Sequence, residues 1–280
     1  MHMKKYHVIL LAGGEKGPLF ERTGFVEKAL IPIHGIPMLS RVIEAFHQAE
    51  RADKIVVVGS SNLDQLESMC RVRKRIAPGF NVIQNLVHAI TYVKHRLYGS
   101  RSNHNGYVIS FCDAVFLTPD IIDDTLQTVE KVDGDIVLHY VERSTFESAS
   151  FPTERTYISV GDKLYTGSAI YYVRRFRKLF TIIPKLIELR KCRKDPGALM
   201  RYIGCEGKDL AEIEQAISRK LNAKVRIQIS PHARMGVDVD KPSDLDLAIN
   251  VLSESPITVR VNLSCGTARN TCERQMISDR

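Results

Sequence analysis

Residues that could do chemistry fall in three separated stretches of this 280-residue chain. The first is Leu11-Ala12-Gly13-Gly14-Glu15-Lys16-Gly17, where an apolar run from Tyr6 gives way to glycine. Glycine lets backbone N–H groups approach phosphate oxygens closely, and open α/β sheets bind ligands at the C-terminal ends of their strands. The second is Tyr107-Val108-Ile109-Ser110-Phe111-Cys112-Asp113, an apolar segment that delivers one carboxylate shortly before Thr118-Pro119. On residue type alone Asp113 suits a Mg²⁺ ligand or a helix cap equally. The third is Gly236-Val237-Asp238-Val239-Asp240-Lys241-Pro242-Ser243-Asp244-Leu245. Alternation in an extended segment puts Asp238 and Asp240 on one face, and two like charges there call for a cationic partner such as a divalent ion. Asp244 reads differently, as a first-turn acid of the helix that Pro242 opens.

Several chemistries are excluded. Lys16 precedes Gly17, so there is no Gly-Lys-Ser/Thr of a P-loop. The dinucleotide pattern G-x-G-x-x-G is absent, and the next strand ends in Gly59-Ser60-Ser61 without an acid for a ribose. The six cysteines are scattered, with no zinc spacing, and read as reduced thiols. No apolar run approaches the roughly 20 residues of a membrane span, and the N-terminus lacks the pattern of a signal peptide. The expected location is cytoplasmic.

The elements that must position these residues follow from periodicity. Short β-branched runs alternate with longer segments of helical spacing, the pattern of a largely parallel sheet covered by helices. Strands are expected at about 6–12, 54–58, 107–111, 134–140 and 223–229, with turn-rich strands around 156–173. Helices are expected from Pro37, from Thr118-Pro119-Asp120, near 174–190, over 208–221 and from Pro242. Residues 4–252 read as a single domain, and 253–280, which lacks a period, as a flexible tail.

After the glycine turn comes Lys28-Ala29-Leu30-Ile31-Pro32-Ile33-His34-Gly35-Ile36-Pro37-Met38-Leu39. The turn and this string together resemble the opening of the nucleotidyltransferases that include molybdenum-cofactor guanylyltransferase, methylerythritol-phosphate cytidylyltransferase and the sugar-phosphate nucleotidyltransferases. The resemblance spans about residues 6–252. It implies a three-layer α/β/α, Rossmann-like fold of the GT-A-like kind with a mostly parallel central sheet. It further implies that Leu11, Ala12, Gly13, Gly14 and Lys16 wrap the nucleotide and that Lys28 contacts the triphosphate. Asp113, with Asp238 as first choice and Asp240 as second, would hold Mg²⁺. Thr166-Gly167-Ser168, inside Val160 to Ala169, resembles the segment lining the acceptor pocket, although an ordinary hairpin would read much the same. The chain departs from the pattern once: many relatives carry an arginine after the glycine pair, and here Lys16 or Arg22 must supply that charge.

The activity so implied is transfer of a nucleoside monophosphate from a nucleoside triphosphate to a small, anionic, phosphorylated acceptor, with release of pyrophosphate. Two rivals remain at this stage. A metal-dependent glycosyltransferase on the same kind of sheet would normally show Asp-x-Asp where this chain has Asp113-Ala114-Val115; a non-catalytic nucleotide sensor would fit the missing arginine. The net charge of +8 attracts anions without choosing among them. Basic residues interleaved with apolar ones over 174–201 could give peripheral contact with an anionic membrane, or simply be a solvated helix face. No motif for sequence-specific nucleic-acid binding is present.

Overall fold

The computed structural model describes residues 3–13, 17–98, 105–174, 195–205 and 209–252, with 182, 184, 185, 188, 191 and 192 between them. The proposed tail at 253–280 and half of the basic segment 174–201 lie outside the described residues.

Ten strands are described: β1 (Tyr6–Leu11), β2 (Pro32–Ile33), β3 (Ile36–Pro37), β4 (Ala52–Val58), β5 (Val72–Ile76), β6 (Tyr107–Phe111), β7 (Ile136–Glu142), β8 (Ile158–Val160), β9 (Lys163–Val173) and β10 (Val225–Ser230). The main sheet runs β10-β7-β9-β6-β1-β4-β5, with β8 paired to β9. β1 is parallel to β4 and β6, β4 to β5, and β10 to β7, while β9 runs antiparallel to β6, β7 and β8. All six residues of β1 are buried, as expected for a central strand covered on both faces.

The described helices are α1 (Phe20–Thr23), α2 (Met38–Gln48), α3 (Val82–Tyr92), α4 (Pro119–Lys131), α5 (Arg143–Ser148), α6 (Pro196–Ile203), α7 (Leu210–Leu221) and α8 (Pro242–Val251). Alternate strand residues face opposite layers. Val8 and Leu10 pack with Leu39, Ile43 and Phe46 of α2 and Leu126 of α4 on one side. Ile9 and Leu11 meet Ala89 and Ile90 of α3 on the other, where α7 packs Ile213 and Ile217 against the β7–β10 end. This is the three-layer, mostly parallel architecture that the sequence implied.

The α2 helix begins at Met38, one residue later than expected. Pro37 still belongs to the β2–β3 hairpin, in which it pairs with Pro32. His34 and Gly35 both have positive φ, 49° and 74°, the two-residue turn whose twist matches tight hairpins. No described helix is long and apolar enough to cross a membrane. Cys70, Cys112, Cys192 and Cys205 are free thiols.

Candidate active site

Three chain segments converge at the C-terminal ends of β1 and β6. β6 leads directly into Asp113, and the N–H of Cys112 donates to the carbonyl of Leu11 at 3.1 Å, so this turn is tied to the end of β1. Residues 237–240 run alongside as an extended segment without a ladder of their own. The N–H of Val239 donates to the Asp113 carbonyl at 3.1 Å. Val237 and Val239 are buried, which turns Asp238 and Asp240 the other way, in line with the expected alternation. Gly236 makes this approach feasible, since a Cβ there would lie 2.8 Å from the Phe146 ring and 3.2 Å from Thr166. Asp244 plays the structural part expected of it: buried, it accepts from the backbone N–H groups of Asp240 and Lys241 at 3.1 Å each and so fixes the end of the acidic segment.

Lys28 arrives from a single helical turn, Lys28–Leu30, held in place by burial of Ala29 and Ile31 and by Glu27, whose carboxylate accepts from Ser60 and Asn62. Its Nζ lies 2.5 Å from Asp113 Oδ2 and also pairs with Asp240. Asp238 pairs instead with Arg155, at 2.8 Å from Nη1, and Arg155 Nη2 donates to the Asp238 carbonyl at 2.7 Å.

The acids feel one another. Burial pushes the Asp113 carboxyl up against the pull of Lys28. Burial also raises Asp238 to about 6; Arg155 opposes the rise while Asp113 and Asp240 add to it. For Asp240 burial is the largest influence and works upward too, but Lys28, helped by Arg155, outweighs it and the carboxyl sits below its usual range. Burial alone would pull Lys28 down, yet Asp113 and Asp240 hold its ammonium well above the ordinary lysine value. Oxygens of Asp113, Asp238 and Asp240 all lie within 4.8 Å of one another. Two oxygens on opposite sides of a Mg²⁺ are about 4.2 Å apart, so small side-chain rotations would let this all-oxygen set accept such an ion.

The remaining candidates divide. Thr166, Gly167 and Ser168 line a cavity of about 280 Å³ together with Asp113, Asp238 and Arg155. Leu11 and Ala12 are buried and offer only main chain, and Ala12 N–H is committed to the Val58 carbonyl at 2.8 Å. Gly13 is exposed at the sheet edge, and a Cβ there would stand 3.4 Å from the Asn85 amide nitrogen. Gly14 and Lys16 lie outside the described residues. Arg22 turns away from the acids: its guanidinium pairs with Asp246 of α8 and donates to the Pro242 carbonyl at 3.3 Å. Sequence reasoning missed Arg155 and Asn85. Arg155 stands in an irregular stretch with no motif. Asn85 takes its place because its Oδ1 accepts from the Gly79 N–H at 2.6 Å, leaving the amide nitrogen toward Gly13.

Gly13, a lysine and three acids meet at the C-terminal edge of a three-layer sheet, the arrangement expected of a nucleotidyltransferase-type domain. Residues 8–181 match the family model of the MobA-like NTP transferase domain, and the chain belongs to that family. Among solved structures it is similar to a hypothetical transferase from Thermus thermophilus, at 27% identity, covering 86% of this chain and 99% of that one with a TM-score of 0.71. A CMP:2-keto-3-deoxy-manno-octonic acid synthetase complexed with CTP shares the fold at 16% identity and a TM-score of 0.56, over 88% of this chain and 97% of its own. So does a 4-diphosphocytidyl-2C-methyl-D-erythritol synthase from Anaerococcus prevotii, at 10% identity and 0.53, over 88% and 95%. No curated protein gives a significant match.

Proposed function

We propose that the chain transfers a nucleoside monophosphate from a nucleoside triphosphate to a small anionic acceptor. The observation that carries this reading is Lys28 in contact with Asp113 and Asp240, beside a cavity that the acids share with Thr166, Gly167 and Ser168. An acceptor oxygen attacks the α-phosphorus, the bond from that phosphorus to the α,β-bridging oxygen breaks, and pyrophosphate leaves. A phosphate dianion is already a nucleophile, so a phosphorylated acceptor needs no general base. Catalysis then reduces to holding the reactants in line and neutralising charge.

The residues divide that work. The main chain from Leu11 to Gly14, with Lys16, surrounds the triphosphate. Asp113 and Asp238 would hold Mg²⁺, with Asp240 as the alternative second ligand, and the ion would supply neutralisation of charge on the triphosphate. Lys28 exchanges its carboxylate partners for the phosphates. Thr166, Gly167 and Ser168 border the acceptor. The four common nucleoside triphosphates, each with Mg²⁺ and a panel of small phosphorylated acceptors, should include one pair that releases pyrophosphate. Sugar transfer without pyrophosphate would make the protein a glycosyltransferase, and tight triphosphate binding without turnover would make it a sensor.

A further inference from the structure

We infer that Arg155 is the receptor for the acceptor's anionic group, a phosphate or carboxylate, and that Asp238 holds it in reserve until a divalent cation takes that carboxylate. The inference rests on reading the 280 Å³ cavity as the acceptor site.

Arg155 is a cation built into the wall of this cavity. Its side chain is 10% exposed, and its Nε is buried without a hydrogen-bond partner among the described residues. A guanidinium buried that deeply is an expensive way to salt-bridge one aspartate, because desolvation offsets most of the attraction. It is well suited to a planar, two-pronged grip on an oxyanion.

The two prongs differ in what they hold. Nη2 donates to the main-chain carbonyl of Asp238, while Nη1 pairs with the Asp238 carboxylate. A cation that recruits the carboxylate removes the partner of Nη1 alone. The main-chain bond keeps the guanidinium at the cavity, and Nη1 then faces a space also lined by Thr156 and Thr166. Arg155 thus changes partner without changing place. Cation and acceptor anion should therefore bind with positive coupling, each favouring the other equally.

The test is calorimetric titration of inorganic phosphate into the full-length protein. Wild type should bind phosphate about tenfold or more tightly with saturating Mg²⁺ than without it. Arg155→Met should lose that enhanced binding, and Arg155→Lys, which keeps charge but not the fork, should retain part of it. Asp238→Asn should bind phosphate without Mg²⁺, because a neutral amide competes with an anion for Nη1 far less than a carboxylate does; this variant keeps the test decisive if Arg155→Met fails to fold. Phosphate can also visit the triphosphate turn, so Lys28→Met serves as the control. Binding that survives in Arg155→Met and vanishes in Lys28→Met belongs to the turn and overturns the inference, as does an Asp238→Asn protein that still requires Mg²⁺. Acetate in a parallel arm tells a carboxylate-bearing acceptor from a phosphorylated one. Arg155-dependent phosphate binding in a protein that never releases pyrophosphate would leave the receptor standing and remove nucleotidyl transfer.

Discussion

Lys28 carries a fully formed charge before any substrate arrives, because Asp113 and Asp240 outweigh the effect of burial on its ammonium. A point charge on a flexible stem can follow phosphate oxygens as charge moves toward the leaving group, so its contribution should be larger in the transition state than in ground-state binding. Lys28→Met keeps most of the stem and deletes the charge. Its kcat for pyrophosphate release should fall about a hundredfold or more, while KM for the triphosphate changes by much less. If Lys16→Met abolishes release and Lys28→Met leaves it intact, the phosphate site belongs to the turn instead. Asp113→Asn should likewise abolish most turnover with little change in melting temperature; unchanged turnover and metal dependence would leave Asp113 only the ion-pair partner of Lys28, since the cap of α4 is Thr118. Asp113 and the Asp238–Asp240 pair could be picked out from the sequence because one follows a strand and the others alternate in an extended segment. Lys28, on a single helical turn, was singled out only by the resemblance of its flanking string to the nucleotidyltransferases. Arg155 was legible in neither way. It stands in an irregular stretch, and only packing brings it within 2.8 Å of an aspartate 83 residues away.

The element that shapes the cavity is β9, and its geometry depends on an interruption. Leu138 pairs with Tyr171, but Tyr140 pairs with Gly167, so β9 spends extra residues opposite His139. Such a bulge bends its strand and leaves ladder groups to be satisfied otherwise. Side chains do so here. Ser110 Oγ donates to the Ala169 carbonyl at 2.7 Å, Ser168 Oγ to that of Ile170 at 3.1 Å, and His139 Nδ1 lies 3.3 Å from the same Ile170 oxygen. The strand was read among the turn-rich strands around 156–173; the bulge could not be, because it depends on partners in β6 and β7. His139 makes it testable. Burial holds its imidazole down at about 4, against 6.5 for a free histidine, and its Nε2 has no partner among the described residues. As pH falls below 6.5 the unfolded chain takes up a proton that the folded chain refuses, so stability is lost down to about pH 4. A shift of this size amounts to about 3 kcal/mol at the acid end. His139→Leu should give up about 1 kcal/mol or less at pH 7.5, where one hydrogen bond is lost and one orphaned nitrogen is removed. It should then overtake wild type in denaturant melts near pH 4.5. Parallel pH profiles for the two proteins would show that His139 is not the buried neutral group described.

At the scale of the molecule, the alternation of β-branched runs with helical spacing was enough to indicate a covered, mostly parallel sheet. Strand order was not available from it. Spatial neighbours such as β6 and β9, which pair Tyr107 with Val173, are set by non-local packing, and the edge strand Val72–Ile76, with basic residues at three of its five positions, carries no apolar signal. The completed fold brings the ends of β1 and β6 and the 237–240 segment to one edge of the sheet, although Asp113 and Asp238 lie far apart in sequence, and on the proposed function that edge binds the nucleotide. Ligand binding there should stabilise the entire domain rather than one segment. A triphosphate present at a hundred times its dissociation constant adds about 2.7 kcal/mol. For a domain of this size that raises Tm by about 5–10 °C. Thermal melts with each of the four triphosphates should therefore single out the preferred base. The acids repel one another and the triphosphate, so the shift with nucleotide and Mg²⁺ together should exceed the sum of the shifts with either alone. In Asp113→Asn the excess over that sum should shrink toward zero. A wild-type shift that is the same with and without Mg²⁺ would mean that the triphosphate binds clear of Asp113, Asp238 and Asp240, and that the three carboxylates serve only to hold Lys28 and Arg155 in place.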